Sequence, residues 1–216
     1  MIISGISLSL IPAMAQFNTV SSASDYYREE SVQAATKDKE TASDNTGSGK
    51  GVSENTGKSG ARGDVQRQMV VERYLSVSYP LPRIKVTSPY GYRKDPFTGK
   101  RKFHGGIDLQ ARGDKVLAMM AGTVVKVGQD KTSGKYVTLQ HGNCMISYCH
   151  LSKILVARGT AVRPRDAVGI TGSTGRSTGE HLHITCRLNG KSVDHAILFE
   201  HVRRVQQECV SALAEL

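Results

Sequence analysis

The sequence predicts an all-β domain followed by a C-terminal helix. After Pro80 the chain becomes a succession of short runs rich in Val, Ile, Thr and Tyr, broken by Gly-containing turns, which is the texture of β-strands. Beyond Asp194 the apolar residues recur at helical spacing. Upstream, the stretch 41–60 has almost no large apolar side chain and cannot bury enough surface to offset its ordering entropy. A chain of 216 residues has room for one domain of ordinary size and an extra segment, but not for two large domains.

Taken in order, residues 1–15 form a short apolar run ending in Ala13-Met14-Ala15, an A-x-A cleavage pattern, and read as an export signal. No Lys or Arg precedes the run, which departs from the usual form, and its length and Pro12 disfavour a membrane span. Residues 16–78 read as a low-complexity, largely disordered linker with a short helix over 64–75. In that helix Asp64 caps the start, and Val65, Met69, Val70 and Tyr74 form the apolar stripe expected to pack on the domain that follows. Gly47-Ser48-Gly49-Lys50 is similar to a phosphate loop, but Asp44 stands where its upstream glycine is required, so it belongs to the linker.

The domain itself is expected over 79–200. Its strands are predicted at Arg83–Thr87, Gly106–Gln110, Lys115–Met119, Gly122–Val127, Tyr136–Gln140, Met145–His150, Ala167–Thr171 and His181–Arg187. The closing helix is capped by Asp194 and turns Ile197, Leu198, Val202, Val205 and Leu213 inward, with Arg203, Arg204 and Gln206 in water; residues 201–216 form its tail.

With 29 Lys+Arg against 19 Asp+Glu, the formal charge of +10 favours anionic partners: nucleic acid, a membrane surface or an acidic cell wall. There is no Trp, aromatics are only 6%, and no nucleic-acid module is present, so nucleic acid is not expected as a partner. Stable membrane insertion is not expected either.

Three histidine-bearing segments carry the chemistry: Phe103-His104-Gly105-Gly106-Ile107-Asp108, Tyr148-Cys149-His150-Leu151 and Glu180-His181-Leu182-His183. On a strand His181 and His183 project from one face and can share a metal neighbourhood. Alone, such a pair reads equally as two half-buried structural histidines. His104 and Asp108 would stand about 13 Å apart on a straight strand, too far for one ion, so a bend is required. Gly105-Gly106 is suited to making it. A catalytic zinc takes three protein ligands and keeps an open position, and two histidines with one carboxylate are a known set. His104, Asp108 and His183 fill it with one Zn2+. His150 and His181 then stand over the open position, where an imidazole accepts a proton or, protonated, stabilises an oxyanion. The sequence does not divide those roles.

H-x-x-x-D, Y-x-H-L and H-L-H in this order resemble the lysostaphin-type, or LytM-like, zinc metallopeptidases over about residues 81–199. The resemblance extends to Ser88-Pro89-Tyr90-Gly91-Tyr92-Arg93, to Ala121-Gly122-Thr123-Val124, and to the run from Thr171 to Gly179. It implies antiparallel β-sheets in a split barrel or sandwich around a narrow catalytic groove. It also implies His104, Asp108 and His183 as metal ligands, His150 and His181 as the catalytic pair, and a peptidoglycan peptide as substrate. The protein would be exported, periplasmic or associated with the cell wall. Some relatives have lost ligands and serve as wall-binding or hydrolase-activating modules; a noncatalytic module with a structural zinc is therefore the alternative, but every expected position is occupied here. At Asp194-His195 the sequence departs from the family, which tends to carry Pro after the Asp.

His141, His195 and His201 have no partner at ligand spacing and read as solvent-facing or structural. Four cysteines, Cys144, Cys149, Cys186 and Cys209, permit disulfides without demanding them. Strand alternation predicts that Cys149 and Cys186 point away from the metal and meet in the core as packed thiols or one bridge. The adjacency Cys149-His150 raises a cysteine hydrolase, which the same alternation disfavours. The Gly-rich Thr171–Gly179 stretch lacks a following Gly-Lys-Ser/Thr and reads as a wall of the groove.

Overall fold

A computed structural model describes residues 57–216. The expected export signal, the Gly47–Lys50 segment and most of the expected linker lie outside the described residues. In chain order the elements are α1 (Gly57–Leu75), β1 (Val86–Ser88), β2 (Gly91–Lys94), β3 (Arg101–His104), β4 (Ile107–Gln110), β5 (Lys115–Leu117), β6 (Gly122–Asp130) and β7 (Gly134–His141). There follow β8 (Cys144–Leu151), β9 (Lys153–Ile154), β10 (Ala161–Val162), β11 (Ala167–Ile170), β12 (His181–Leu188), β13 (Lys191–Ser192) and α2 (Ala196–Ala214).

The main sheet is open, in the order β1-β4-β12-β8-β7-β6-β10, with β13 paired to β12; β5-β11-β9 form a second sheet and β2-β3 a separate ribbon. All the pairings are antiparallel. The fold is therefore β-rich with a C-terminal helix, as the sequence predicts, and the sheet does not close into a barrel.

Alternation along β12 shows why these residues make this sheet. Leu182, Ile184 and Cys186 are fully buried while His181, His183 and Thr185 are half-buried on the other face. Cross-strand partners share a face, and the register sets Leu182 opposite Leu109, Ile184 opposite both Ile107 and Tyr148, and Cys186 opposite Ile146. Val137, Leu139 and Val124 continue that buried surface across β7 and β6. Each such side chain contributes about 1.5–3 kcal/mol by leaving water. One face of the sheet is thus committed to the core, and the other is left for chemistry.

Five strands were not legible in the sequence. β2, β3, β9, β10 and β13 are two to four residues long, too short to display alternation. β1 starts at Val86, three residues later than expected.

The terminal helices also differ in detail. α1 starts at Gly57, so Asp64 lies inside it rather than at its cap, and Val65 and Met69 are exposed. Arg73 pairs with Glu208 of α2 at 2.6 Å, and Arg67 donates to the Leu216 carbonyl at 2.6 Å. α2 buries Leu198, His201, Val202, Val205 and Cys209, while Leu213 is exposed. Asp194 does serve its start, accepting from the Ala196 N–H at 3.0 Å, although His195 occupies the N-cap position.

The cysteine pairing requires correction. All four thiols are buried and free, but Cys149 faces His183 across the sheet whereas Cys186 faces Ile146. They therefore lie on opposite faces of the sheet. The sulfur beside Cys186 belongs to Cys144, at 3.5 Å. Cys149 does not point away from the histidines, because His150 takes a left-handed φ of 60° and interrupts the alternation on which that expectation stood.

Candidate active site

The site is assembled on the face of the sheet opposite the core. His183 on β12 and Asp108 on β4 are directly opposed, and their Nδ1 and Oδ1 atoms lie 2.6 Å apart. His104 ends β3, and Gly105-Gly106 turn the chain into β4, the bend that the spacing required. His104 Nε2 thereby comes to 3.1 Å from His183 Nδ1 and 3.3 Å from Asp108 Oδ1. Gly106 is needed for this approach, since a Cβ there would lie 2.5 Å from both His183 Cε1 and the Ile184 carbonyl oxygen.

These three groups fit one metal ion. One ligand atom from each of them lies within 4.8 Å of the other two. Tetrahedral zinc with bonds of about 2.0–2.1 Å places ligand atoms roughly 3.3 Å apart. The tautomer of His104 is also prepared. Its Nδ1 lies 2.8 Å from the Pro89 carbonyl, which can only accept, so Nδ1 carries the proton and Nε2 presents a lone pair to the site. Asp108 is ionised for the same task. Burial works to raise its pKa, but the His104 and His183 imidazoles beside it outweigh that and hold the carboxyl well below the usual range.

His150 and His181 stand beside this group, their ring centroids 4.8 Å apart, with His150 5.6 Å from His183. Both are oriented by carbonyls: His150 Nδ1 donates to Thr174 and His181 Nδ1 to Gly179, each at 2.8 Å. A carbonyl can only accept, so each contact assigns the proton of the neutral ring to Nδ1 and leaves Nε2 as its acceptor. Burial, with repulsion from His181 and His183, pushes the His150 pKa down to about 4 despite the Thr174 carbonyl, so the ring is neutral near pH 7.

A cleft of about 780 Å³ runs over the site, walled by the β2–β3 ribbon on one side and the 174–180 loop on the other. Arg176 of that loop reaches Asp95 of the ribbon through two hydrogen bonds of 2.9 and 3.0 Å and lies over the Phe97 ring at 4.5 Å. Arg93, Asp95 and Arg176 line the cleft and were given no role from the sequence; Cys149 lines it too, against the expectation that it points away from the site. The Cys149 thiol is pushed up to about 12 by burial, which keeps it protonated and counts against a cysteine nucleophile. His141, His195 and His201 are buried and do not belong to the group: His141 Nδ1 donates to the Ala121 carbonyl at 2.9 Å, and His195 is fully enclosed at the start of α2.

Residues 102–195 match the profile of Peptidase family M23. A DD-carboxypeptidase/endopeptidase, Mpg, of Neisseria meningitidis is 39% identical over 117 residues, 53% of this chain and 27% of the relative. The catalytic domain of the prophage-encoded M23 protein EnpA of Enterococcus faecalis, solved as a variant, is 31% identical over 55% of this chain and 93% of that one, with a TM-score of 0.47. The catalytic domain of the peptidase lysostaphin of Staphylococcus simulans is 25% identical, covers 62% of this chain and 97% of that one, and has a TM-score of 0.50. The chain spans about a quarter of the length of the curated relatives it matches. On the sequence match, the metal-fitting triad and the shared fold, the chain belongs to peptidase family M23.

Proposed function

We propose that this chain is a zinc endopeptidase that hydrolyses peptide bonds in peptidoglycan and acts outside the cytoplasm. The observation that carries the reading is the convergence of His104, Asp108 and His183 on one point, with two further imidazoles, His150 and His181, lining the same cleft and held through Nδ1 by backbone carbonyls. The similarity to Mpg, a DD-carboxypeptidase/endopeptidase, and to the peptidoglycan DD-endopeptidase ShyA of Vibrio cholerae supports the substrate. Among the described residues no helix is long and apolar enough to cross a membrane.

His104, Asp108 and His183 would hold the metal. Zinc bound there supplies Lewis-acid polarisation of the scissile carbonyl and acidifies water. The work of the chain is positioning and proton transfer. His150 and His181 face the reacting centre with fixed tautomers, so either Nε2 accepts the proton of the attacking water, and the imidazolium so formed steadies the oxyanion and returns a proton to the leaving amine. The cleft walls hold the peptide extended between the ribbon and the 174–180 loop.

The test is release of new amino groups from purified peptidoglycan by zinc-loaded protein. Release that stops with a zinc chelator and is missing in His104→Ala is the expected result. No release by fully zinc-loaded wild type against several wall types would favour a noncatalytic wall-binding module.

A further inference from the structure

The β2–β3 ribbon carries an arrangement that metal binding does not explain. Its register places Arg93 directly opposite Lys102, so two cations stand side by side on the cleft-facing side, next to His104. Like charges directly opposed on a two-stranded ribbon are destabilising. The ribbon's other opposed pair, Lys94 with Arg101, has an aromatic partner, the Arg101 guanidinium lying 4.6 Å over the Tyr92 ring. The cleft-facing pair has only long contacts: Arg93 Nη2 is 3.6 Å from Asp108 Oδ2, Arg93 Nη1 donates to the Lys94 carbonyl at 3.5 Å, and Lys102 Nζ is 3.8 Å from Asp95 Oδ2. Arg93 Nε is buried with no hydrogen-bond partner.

The carboxylates that line the cleft are already committed. Asp95 is taken by both Arg176 Nη2 contacts and by the N–H groups of Phe97 and Thr98. Asp108 belongs to His104 and His183. Glu180 accepts from the Gly113 N–H and the Thr171 hydroxyl. The cleft is therefore lined by Arg93, Lys94, Lys102 and Arg176 against three engaged carboxylates. A divalent metal adds further positive charge.

We propose that Arg93 and Lys102 form a carboxylate-binding subsite, which selects peptides that carry a free carboxylate beside the cleaved bond. A carboxylate between the two cations relieves their repulsion and offers Arg93 a two-oxygen acceptor suited to its planar fork. Because Arg93 lies against Asp108, the carboxylate sits within about one residue, roughly 3.5 Å, of the reacting carbonyl. The inference rests on the peptidase reading for its location and names the chemistry of the substrate: an acidic stem peptide rather than a glycyl bridge.

The experiment measures binding of two labelled cross-linked peptides, identical except that the carboxylate flanking the scissile bond is free in one and amidated in the other, to zinc-loaded protein. Wild type is expected to bind the free acid about tenfold more tightly, a gap that narrows as salt is raised. In Lys102→Gln and Arg93→Gln the gap should shrink to roughly threefold or less, with zinc content by elemental analysis still near one per chain. Equal binding of the two peptides by wild type overturns the proposal. So does a tenfold gap that survives both substitutions, or loss of zinc from Arg93→Gln beside an unchanged gap in Lys102→Gln, which would make Arg93 a prop for Asp108. Cleavage is scored separately: a binding preference without any cleavage would sink the peptidase reading and leave the subsite standing.

Discussion

At the scale of the residue, the four site histidines divide by what each nitrogen is given. Pro89, Thr174 and Gly179 carbonyls fix Nδ1–H on His104, His150 and His181, whereas His183 turns Nδ1 towards Asp108. His150→Ala and His181→Ala should therefore each lower kcat about 10²–10⁴-fold while the protein keeps its zinc. His104→Ala or Asp108→Ala should lose the zinc itself, and elemental analysis separates the two classes. His195 makes a prediction about pH. It is fully buried, and burial, with repulsion from His183 and His104, lowers its pKa to about 4 against the Thr185 backbone and Asp194, which favour the charged form. A depressed pKa means that the unfolded chain takes up its proton first, from pH 6.5 downwards. Stability is complete above about 6.5 and is lost towards pH 4, by about 3 kcal/mol for this group. Denaturant titrations of metal-free protein should show that slope, and His195→Leu should flatten it. The site histidines were legible because an i, i+2 pair on a strand and an H-x-x-x-D around two glycines are local patterns. Arg93 and Arg176 were not, because their partners are set by contacts across the chain, 81 residues apart for Arg176 and Asp95.

At the scale of the element, the turn from β3 to β4 brings His104 and Asp108 together, and its geometry depends on the missing side chain of Gly106. Gly106→Ala would place a methyl group 2.5 Å from the His183 ring and from the Ile184 carbonyl. Zinc affinity should fall by about 10–100-fold, measured by competition with a chromogenic chelator, because the change displaces a ligand rather than deleting one. The 174–180 loop is held against the ribbon by Arg176, so Arg176→Ala should raise hydrogen exchange over that loop and over 95–98 while leaving β12 protected. The longer strands were readable from alternation, but the register between them was not. A shift of one residue reverses which side chains share a face, and where His150 leaves the alternation of β8 Cys149 goes to the cleft face, so that Cys186 meets Cys144 instead. The β2–β3 ribbon escaped because four-residue strands rich in Arg and Lys carry no apolar alternation.

At the scale of the whole molecule, one face of an open antiparallel sheet is given to the core and the other to a cleft, and both follow from the period-two pattern of β4, β8 and β12. Two helices, α1 and α2, lie together through the Arg73–Glu208 pair and the Arg67–Leu216 contact. The β fold and the family were legible in the sequence, and so was the approach of Asp108 and His183, which stand on strands of strong pattern; His104 was found from its spacing to Asp108 around two glycines, since its own strand shows none. The central claim is that His104, Asp108 and His183 hold a single zinc, and X-ray absorption at the zinc edge of the loaded protein tests it most directly. A shell of nitrogen and oxygen at about 2.0–2.1 Å with two imidazoles and no sulfur is predicted. Sulfur at about 2.3 Å would instead place Cys149, opposite His183 in the cleft, among the ligands and contradict the triad.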